Sequence, residues 1–182
     1  MTTHVALLYS VVLTPKRRVV MVDLRAMAED LGFVAPRTLG ASGNLIFEAP
    51  GRMPVGTIEQ KLEPAFVACF GRSVDIIVRS AAEFRALAKA NPFRDEAETE
   101  PTSVHVRVMR EPIGEEALGP LLPWRAPSER LAVAGGHLWL HLPDGAGTSK
   151  LAGRLTPRHM GGVGTTRNWN TVRRLAAMVA GD

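Results

Sequence analysis

The sequence predicts an α+β protein made of two ferredoxin-like βαββαβ halves with an additional C-terminal helix. Two observations carry this prediction. Between residues 5 and 78, segments typical of strands and helices follow in the order strand, helix, strand, strand, helix, strand. After an acidic run at residues 95–100, the same order begins again and ends in one further helix. The duplication rests on element order alone, and one mixed sheet with helices on one face is the alternative.

The first elements follow from apolar spacing and turn residues. Residues 5–13 are apolar and rich in β-formers, which predicts a central strand. Apolar residues at helical spacing predict a helix at about 21–31 that ends at Gly32. Ser42-Gly43-Asn44 predicts the turn of a hairpin over residues 36–48.

A second helix and a strand complete the N-terminal half. Thr57 begins a capping-box pattern, which predicts the start of the helix. Its buried face is predicted to include Cys69, and Gly71 is predicted to end it. Pro64 lies inside this helix, so we expect a kink or a split there. Residues 74–78 are predicted to form the next strand.

A connecting segment separates the two halves. A capping box at Ser80 and Glu83 predicts a helix that Asn91-Pro92 closes. The acidic run that follows is predicted to be an exposed linker. The predicted boundaries are residues 1–79 for the N-terminal half, 80–101 for the connecting helix and linker, and 102–182 for the C-terminal half with the final helix.

The second half shows the same signals. Gly119, Pro120 and Pro157 are expected to limit its two inner helices. The predicted elements are a strand at 104–109, a helix at 113–121, a hairpin at 130–142 around Gly135-Gly136, a helix at 149–160, a strand at 162–166 and a final helix at 169–179.

Basic residues concentrate near the C-terminus of a chain whose formal net charge is +4. From Lys150 onward the only acidic residue is Asp182. This asymmetry predicts a basic face that attracts a phosphate-bearing small molecule or a nucleic acid. The alternative is an ordinary solvated helix surface. Aromatic residues are few and no RNP pattern is present, which argues against sequence-specific reading of RNA.

Composition also excludes several classes of protein. A single cysteine excludes an intramolecular disulfide and a cysteine-based zinc cluster. No run of about 18 apolar residues occurs, and the first residues lack the pattern of a signal peptide. We therefore predict a cytoplasmic protein with no membrane partner. No motif indicates a cofactor or a metal, although His105 and His141 would face each other if their strands were neighbours on the sheet. No feature specifies an oligomeric state.

Two polar stretches lie at the beginnings of predicted helices. The first contributes Asp144, Gly145, Gly147, Ser149 and Lys150. Its glycines allow close backbone approach, its serine is placed to cap a helix, and its lysine adds charge, so the stretch predicts an anion site. The alternative is a loop that only turns the chain into the helix.

The second polar stretch contains Arg167, Asn168 and Asn170. Asn168 is predicted to cap the final helix, and Arg167 is predicted to bind a carboxylate or a phosphate. Trp169 begins the apolar stripe of that helix and is predicted to be core. The alternative is a buried clasp, with Arg167 bonded to Asp144, that locks the helix to the sheet.

Both polar stretches, supported by Ser42-Gly43-Asn44 and Asn91-Pro92-Phe93, resemble the bacterial family catalogued as domain of unknown function 1697. The resemblance covers nearly the whole chain and implies two ferredoxin-like halves, but it implies no activity. The chain departs from the family after the first strand, where members carry an arginine-glycine-isoleucine-asparagine stretch and a glycine pair. Here Tyr9–Lys16 is an apolar strand extension with a Thr-Pro turn. A function carried by that loop in the family would be lost or altered.

Taken as a whole, the residues predict a non-catalytic binding module for an anionic ligand at loop 144–150 and helix start 167–170. The ligand would be a phosphate-bearing small molecule, a nucleotide or a nucleic acid. One alternative is an enzyme on a small anionic substrate, with Asp144 or a histidine as acid or base and with Lys150 and Arg167 as anchors. The other alternative is a structural or partner-interaction protein with no ligand.

Overall fold

The computed structural model describes residues 1–9, 19–50 and 53–180. It confirms an α+β fold with two four-stranded antiparallel sheets, helices between them and a C-terminal helix. The chain divides into two compact units, one formed by Met1–Arg85 with Leu175–Asp182 and the other by Ala86–Arg174. The boundaries predicted above stay a prediction. Within the described residues, no helix has both the length and the apolar character needed to cross a membrane.

The first unit contains the first antiparallel sheet, in the strand order β2-β3-β1-β4. Helices cover one face of this sheet, where Leu24 and Phe66 pack against Ala6, Phe47 and Val78. Its elements are β1 (Thr2–Leu8), α1 (Met21–Asp30), β2 (Val34–Thr38), β3 (Asn44–Ala49), α2 (Val55–Phe70) and β4 (Ile76–Ser80). The part of the predicted first strand beyond Tyr9 lies outside the described residues.

Helix α2 differs from its prediction in three ways. It begins at Val55, after Pro54, and not at Thr57. It runs through Pro64 as one helix, so the predicted split is wrong; a proline inside a helix removes a single N–H donor, and buried side chains on both sides hold the two turns together. Cys69 is exposed and not part of the buried face, and partial desolvation together with the nearby carboxylates of Asp23 and Asp30 raises the pKa of its thiol.

Helix α2 also covers the edge strand of the first sheet. The carboxylate of Glu59 accepts a hydrogen bond from the Val78 N–H at 2.8 Å, and Glu63 accepts one from the Ile76 N–H at 3.0 Å. Among the described strands, β4 pairs only with β1, so these N–H groups face away from the sheet. The two glutamates satisfy donors that an uncovered edge would offer to another strand.

The second unit contains the second antiparallel sheet, in the equivalent order β6-β7-β5-β8. Its hairpin turns at Gly135-Gly136 as predicted, and both glycines have positive φ. The remaining α-helices and strands that the structure describes are α3 (Ala81–Lys89), α4 (Arg94–Thr99), β5 (Val104–Met109), β6 (Arg130–Ala134), β7 (His137–His141), α5 (Pro157–Met160), β8 (Gly164–Asn168) and α6 (Trp169–Met178).

Three connections in the second unit correct the sequence prediction. The acidic run, predicted to be an exposed linker, lies largely in helix α4, which buries Ala97, while Asp95, Glu98 and Glu100 are exposed. The predicted helix at 113–121 is instead two 3₁₀ turns, Glu115–Leu118 and Leu122–Trp124. The predicted helix at 149–160 is a 3₁₀ turn and the four-residue α5, because the residue before Pro157 is forced into an extended conformation.

The second sheet has two faces with different contents. On one face, Leu138 and Leu140 pack with Leu121, Leu151 and Met160 from the connections. Side chains alternate along a strand, so the residue between these two leucines, Trp139, lies on the other face. The connections that follow β5 and β7 therefore lie over the leucine face.

Candidate functional site

A polar cavity of about 580 Å³ lies in the second unit, beside the 3₁₀ turn Leu122–Trp124. We name it the Trp124 cavity. The walls come from that turn with the loop after it and from the loop that follows β7. The polar and aromatic residues that line it are Trp124, Arg125, Glu129, Asp144, Thr148, Ser149 and Lys150. The first predicted polar stretch thus contributes three of its five residues to one cavity.

Backbone turns fix the loop that carries Asp144. The Gly145 N–H donates to the Leu142 carbonyl at 2.9 Å and closes a turn, and Gly145 has a φ of +85°, which favours glycine. The Thr148 hydroxyl donates to the Asp144 carbonyl at 2.8 Å. Gly147 has no positive φ, and a Cβ there would meet nothing within 4 Å. Neither backbone conformation nor close approach therefore requires a glycine at this position.

Ser149 bonds the start of the turn that follows, but the helix it was predicted to cap is not formed there. Its hydroxyl oxygen accepts the Ala152 N–H at 3.0 Å. The 3₁₀ turn Ala152–Arg154 has only three residues, so it lacks the aligned dipoles of a long helix. Anion binding in this cavity would therefore depend on side-chain charge and not on a helix terminus.

Two cations line the Trp124 cavity, and a third lies over the Trp124 ring. Arg125 and Lys150 line the cavity and are exposed. The guanidinium carbon of Arg154 lies over the Trp124 ring, 3.6 Å from its centroid.

Two carboxylates share the same cavity, and both already accept hydrogen bonds. Glu129 is buried, and its Oε2 accepts the Ala126 N–H at 2.9 Å. Asp144 accepts a hydrogen bond from the Ser128 hydroxyl at 3.3 Å. Among the described lining residues, Arg125 and Lys150 thus balance the two acids, and Arg154, over the Trp124 ring, adds a positive charge beside the cavity.

Arg167 lies on the opposite face of the second sheet. It pairs with Val106 of β5, which pairs with Trp139 of β7. Its side chain is 9% exposed, and its Nη1 donates to the Thr165 hydroxyl at 2.8 Å and to the Thr166 carbonyl at 2.9 Å. Burial lowers the pKa of the Arg167 guanidinium to about 10.

The two polar stretches therefore do not converge on one cavity. Neither Arg167 nor its neighbours Asn168 and Asn170 line the Trp124 cavity. The alternative clasp between Arg167 and Asp144 is not formed either, because the two lie on opposite faces. The enzyme hypothesis required Asp144, Lys150 and Arg167 in one pocket. Arg167 does not line the cavity that contains Asp144 and Lys150, so it does not anchor a substrate there. Asn170 is half-buried in the first turn of α6.

Asn168 has the capping role predicted for it. Its Oδ1 accepts the Thr171 N–H at 3.0 Å at the start of α6.

Replacement of Asn168 with alanine is expected to lower the free energy of unfolding by about 1 kcal/mol, because one helix donor loses its partner. Urea unfolding of Asn168→Ala and of Asn168→Asp measures this; the aspartate also accepts at this position and is expected to retain most of the stability. Equal losses in both variants would contradict the capping role.

The two strand histidines do not face each other. Strands β5 and β7 are neighbours, but His141 pairs with Val104 and His105 pairs with Leu140, so the imidazoles lie on opposite faces. Burial lowers the pKa of both. In the part of the chain that the structure describes, no group of three His, Cys, Asp or Glu side chains is arranged to hold a metal ion.

Sequence reasoning missed Trp124, Arg125 and Glu129 as members of the site. One signal was present: Trp124-Arg125 places an aromatic ring beside a cation between two prolines, which disfavour a regular helix or strand there. That Glu129 lines the same cavity follows only from the fold.

Comparison with known proteins supports the fold but indicates no activity. The chain is similar to the solved structure of a conserved bacterial protein from Streptococcus pneumoniae, with 17% identity, a TM-score of 0.75 and 98% of each chain covered. At that identity the likeness shows the fold alone. No curated protein matches the chain.

A family model described as "Protein of unknown function (DUF1697)" matches residues 1–139. The match ends before both polar stretches, so the Asp144 loop and the start of α6 lie beyond it. It includes Trp124, Arg125 and Glu129, and it also includes the divergent residues after β1, of which 10–16 lie outside the described residues. Since the matched part is well over half of the sequence, the chain belongs to the DUF1697 family.

Proposed function

We propose that this protein is a non-catalytic binding module for a small phosphate-bearing ligand, held in the Trp124 cavity. The observation that carries the proposal is that Arg125 and Lys150 line one cavity with an aromatic ring that is 38% exposed. Cations bind a phosphate group through charge-assisted hydrogen bonds. The exposed ring offers a surface on which a flat group of the ligand can stack.

A small molecule fits this arrangement better than a nucleic acid. The volume of about 580 Å³ lies within the range of ordinary ligand sites, roughly 300–1,000 Å³. A nucleic acid needs a basic surface that follows several phosphates, whereas here the two lining cations, Arg125 and Lys150, share the cavity with Asp144 and Glu129. A nucleotide joins the phosphate and the flat group in one molecule.

A partner-interaction surface is the second candidate, and one observation favours it. Leu122 is 52% exposed and lies two residues before the exposed Trp124, so an apolar patch borders the cavity. Partner binding through that patch would depend on Leu122, whereas nucleotide binding would depend on the cations. Leu122→Ser is expected to leave nucleotide affinity unchanged. We also propose that the protein is cytoplasmic and that each half is ferredoxin-like.

Calorimetric titration with adenosine monophosphate tests the proposed function. Affinity is expected to fall as sodium chloride is added, because salt screens exposed charges. Lys150→Glu is expected to weaken binding about tenfold, the effect of losing one charge-assisted hydrogen bond.

Arg173→Glu is the matched control, because Arg173 is an exposed arginine of α6 outside the cavity. It makes the same reversal of a positive charge and is expected to bind as the wild type does. Binding that is insensitive to salt, or that responds equally to both substitutions, would contradict the proposal.

A further inference from the structure

A second, smaller cavity lies elsewhere in the second unit, with a volume of about 270 Å³. We name it the Asn91 pocket. Its polar and aromatic lining residues are Lys89, Asn91, Arg94, Glu98 and Trp169, and none of them lines the Trp124 cavity. The pocket thus joins the Asn91-Pro92-Phe93 stretch to the start of α6, two segments that the sequence marked separately.

Asn91 provides a buried hydrogen-bond donor that lacks a partner. Its side chain is 3% exposed, and its Oδ1 accepts the Phe93 N–H at 2.9 Å. That bond fixes the orientation of the amide, so Nδ2 is the donor. Among the described residues, Nδ2 has no hydrogen-bond partner. A buried donor without a partner destabilises the folded state, and nearly all buried polar groups in proteins are satisfied.

Two cations, Lys89 and Arg94, line the same pocket as this amide. The Arg94 guanidinium donates to the Lys89 carbonyl at 2.9 Å and to the Asn91 carbonyl at 3.4 Å, which ties the turn between α3 and α4 together. The lysine side chain is exposed and lines the same pocket. Glu98 is the one acid among the described lining residues, so the cationic side chains outnumber the acidic ones.

The indole of Trp169 forms another part of the wall. Its ring lies 6.1 Å from that of Trp139, which is fully buried. Trp169 was predicted to be core, but it is only half-buried and lines the pocket. Its ring is therefore both an apolar surface for a ligand and a natural reporter of occupancy.

We propose that the Asn91 pocket binds a small oxyanion, a carboxylate or a phosphate, whose oxygen accepts the Asn91 Nδ2–H while Lys89 and Arg94 neutralise its charge. An oxyanion matches a set of donors with two positive charges. The volume lies just below the usual range of ligand sites, roughly 300–1,000 Å³. The pocket therefore fits a free phosphate or a short carboxylate better than a whole nucleotide.

Titration with acetate and, separately, with inorganic phosphate tests this inference. The signal is the Trp169 indole N–H resonance in ¹H–¹⁵N spectra, assigned with Trp169→Phe. A saturable shift is expected with at least one probe, and the stronger probe identifies the ligand class. Asn91→Asp keeps the acceptor for the Phe93 N–H but replaces the donor with a carboxylate oxygen, so it is expected to weaken binding at least about tenfold.

Lys89→Glu gives a second variant at an exposed position and decides the result if Asn91→Asp does not fold. It is expected to weaken the response as well, whereas Lys150→Glu, in the other cavity, is expected to leave it unchanged. The inference is overturned if neither probe gives a saturable shift at Trp169, or if the folded pocket variants bind as tightly as the wild type. Because Lys150 lies outside the Asn91 pocket, failure here is distinguishable from failure of the proposed nucleotide site.

Discussion

Replacement of Arg167 with alanine is expected to lower the free energy of unfolding by about 3 kcal/mol, the scale of buried hydrogen bonds to a charged group. Two acceptors, the Thr165 hydroxyl and the Thr166 carbonyl, lose their charged donor. The guanidinium lies on the face of the second sheet that contains Trp139 and Val106, so its aliphatic stem is lost from a packed surface as well. Affinity for adenosine monophosphate is expected to stay unchanged.

Urea unfolding, followed by circular dichroism, measures the stability change, and calorimetry measures the affinity. Arg173→Ala is the control, since it removes an exposed arginine from the same part of the chain and is expected to change stability little. A variant Arg167→Ala that is as stable as the wild type but no longer binds the nucleotide would show that Arg167 is a ligand contact. That result would contradict the structural role assigned to it.

Reversal of both cavity cations, in the double variant Arg125→Glu/Lys150→Glu, is expected to weaken nucleotide binding about a hundredfold or more. Each substitution replaces a charge-assisted donor with a carboxylate. Both positions are exposed, so the fold is expected to be retained.

The matched control for this variant is Arg173→Glu/Arg174→Glu, which changes the net charge by the same amount on the exposed side of α6. Calorimetry on both double variants gives the comparison. Equal loss of affinity in the two would show that general electrostatic attraction, and not the Trp124 cavity, determines binding.

The strands and the order of elements could be predicted because alternation and turn residues are local signals. The Gly135-Gly136 hairpin and the alternating run from Val104 to Met109 are examples, and both are confirmed. The inner connections of the second half were predicted less well. Pro157 and its preceding residue decide the backbone there, and they outweigh the helical spacing of the apolar residues.

The site was predicted only in part because its composition depends on strand pairing. Asp144, Ser149 and Lys150 are close in sequence, so a local stretch was enough to group them. Arg167 was grouped with them on polarity alone. The register that pairs it with Val106 sets it on the opposite face, and that register is not visible in either stretch.

The most direct test of the nucleotide site uses the three tryptophans as separate reporters. Trp124 lines the proposed site, Trp169 lines the Asn91 pocket, and Trp139 is buried in the sheet. The measurement is a ¹H–¹⁵N titration of the indole N–H resonances with adenosine monophosphate, each resonance assigned by a tryptophan-to-phenylalanine variant. A saturable shift at Trp124, with Trp139 unmoved, is the predicted result. A nucleotide that binds without moving the Trp124 resonance would contradict the assignment of the ligand to this cavity.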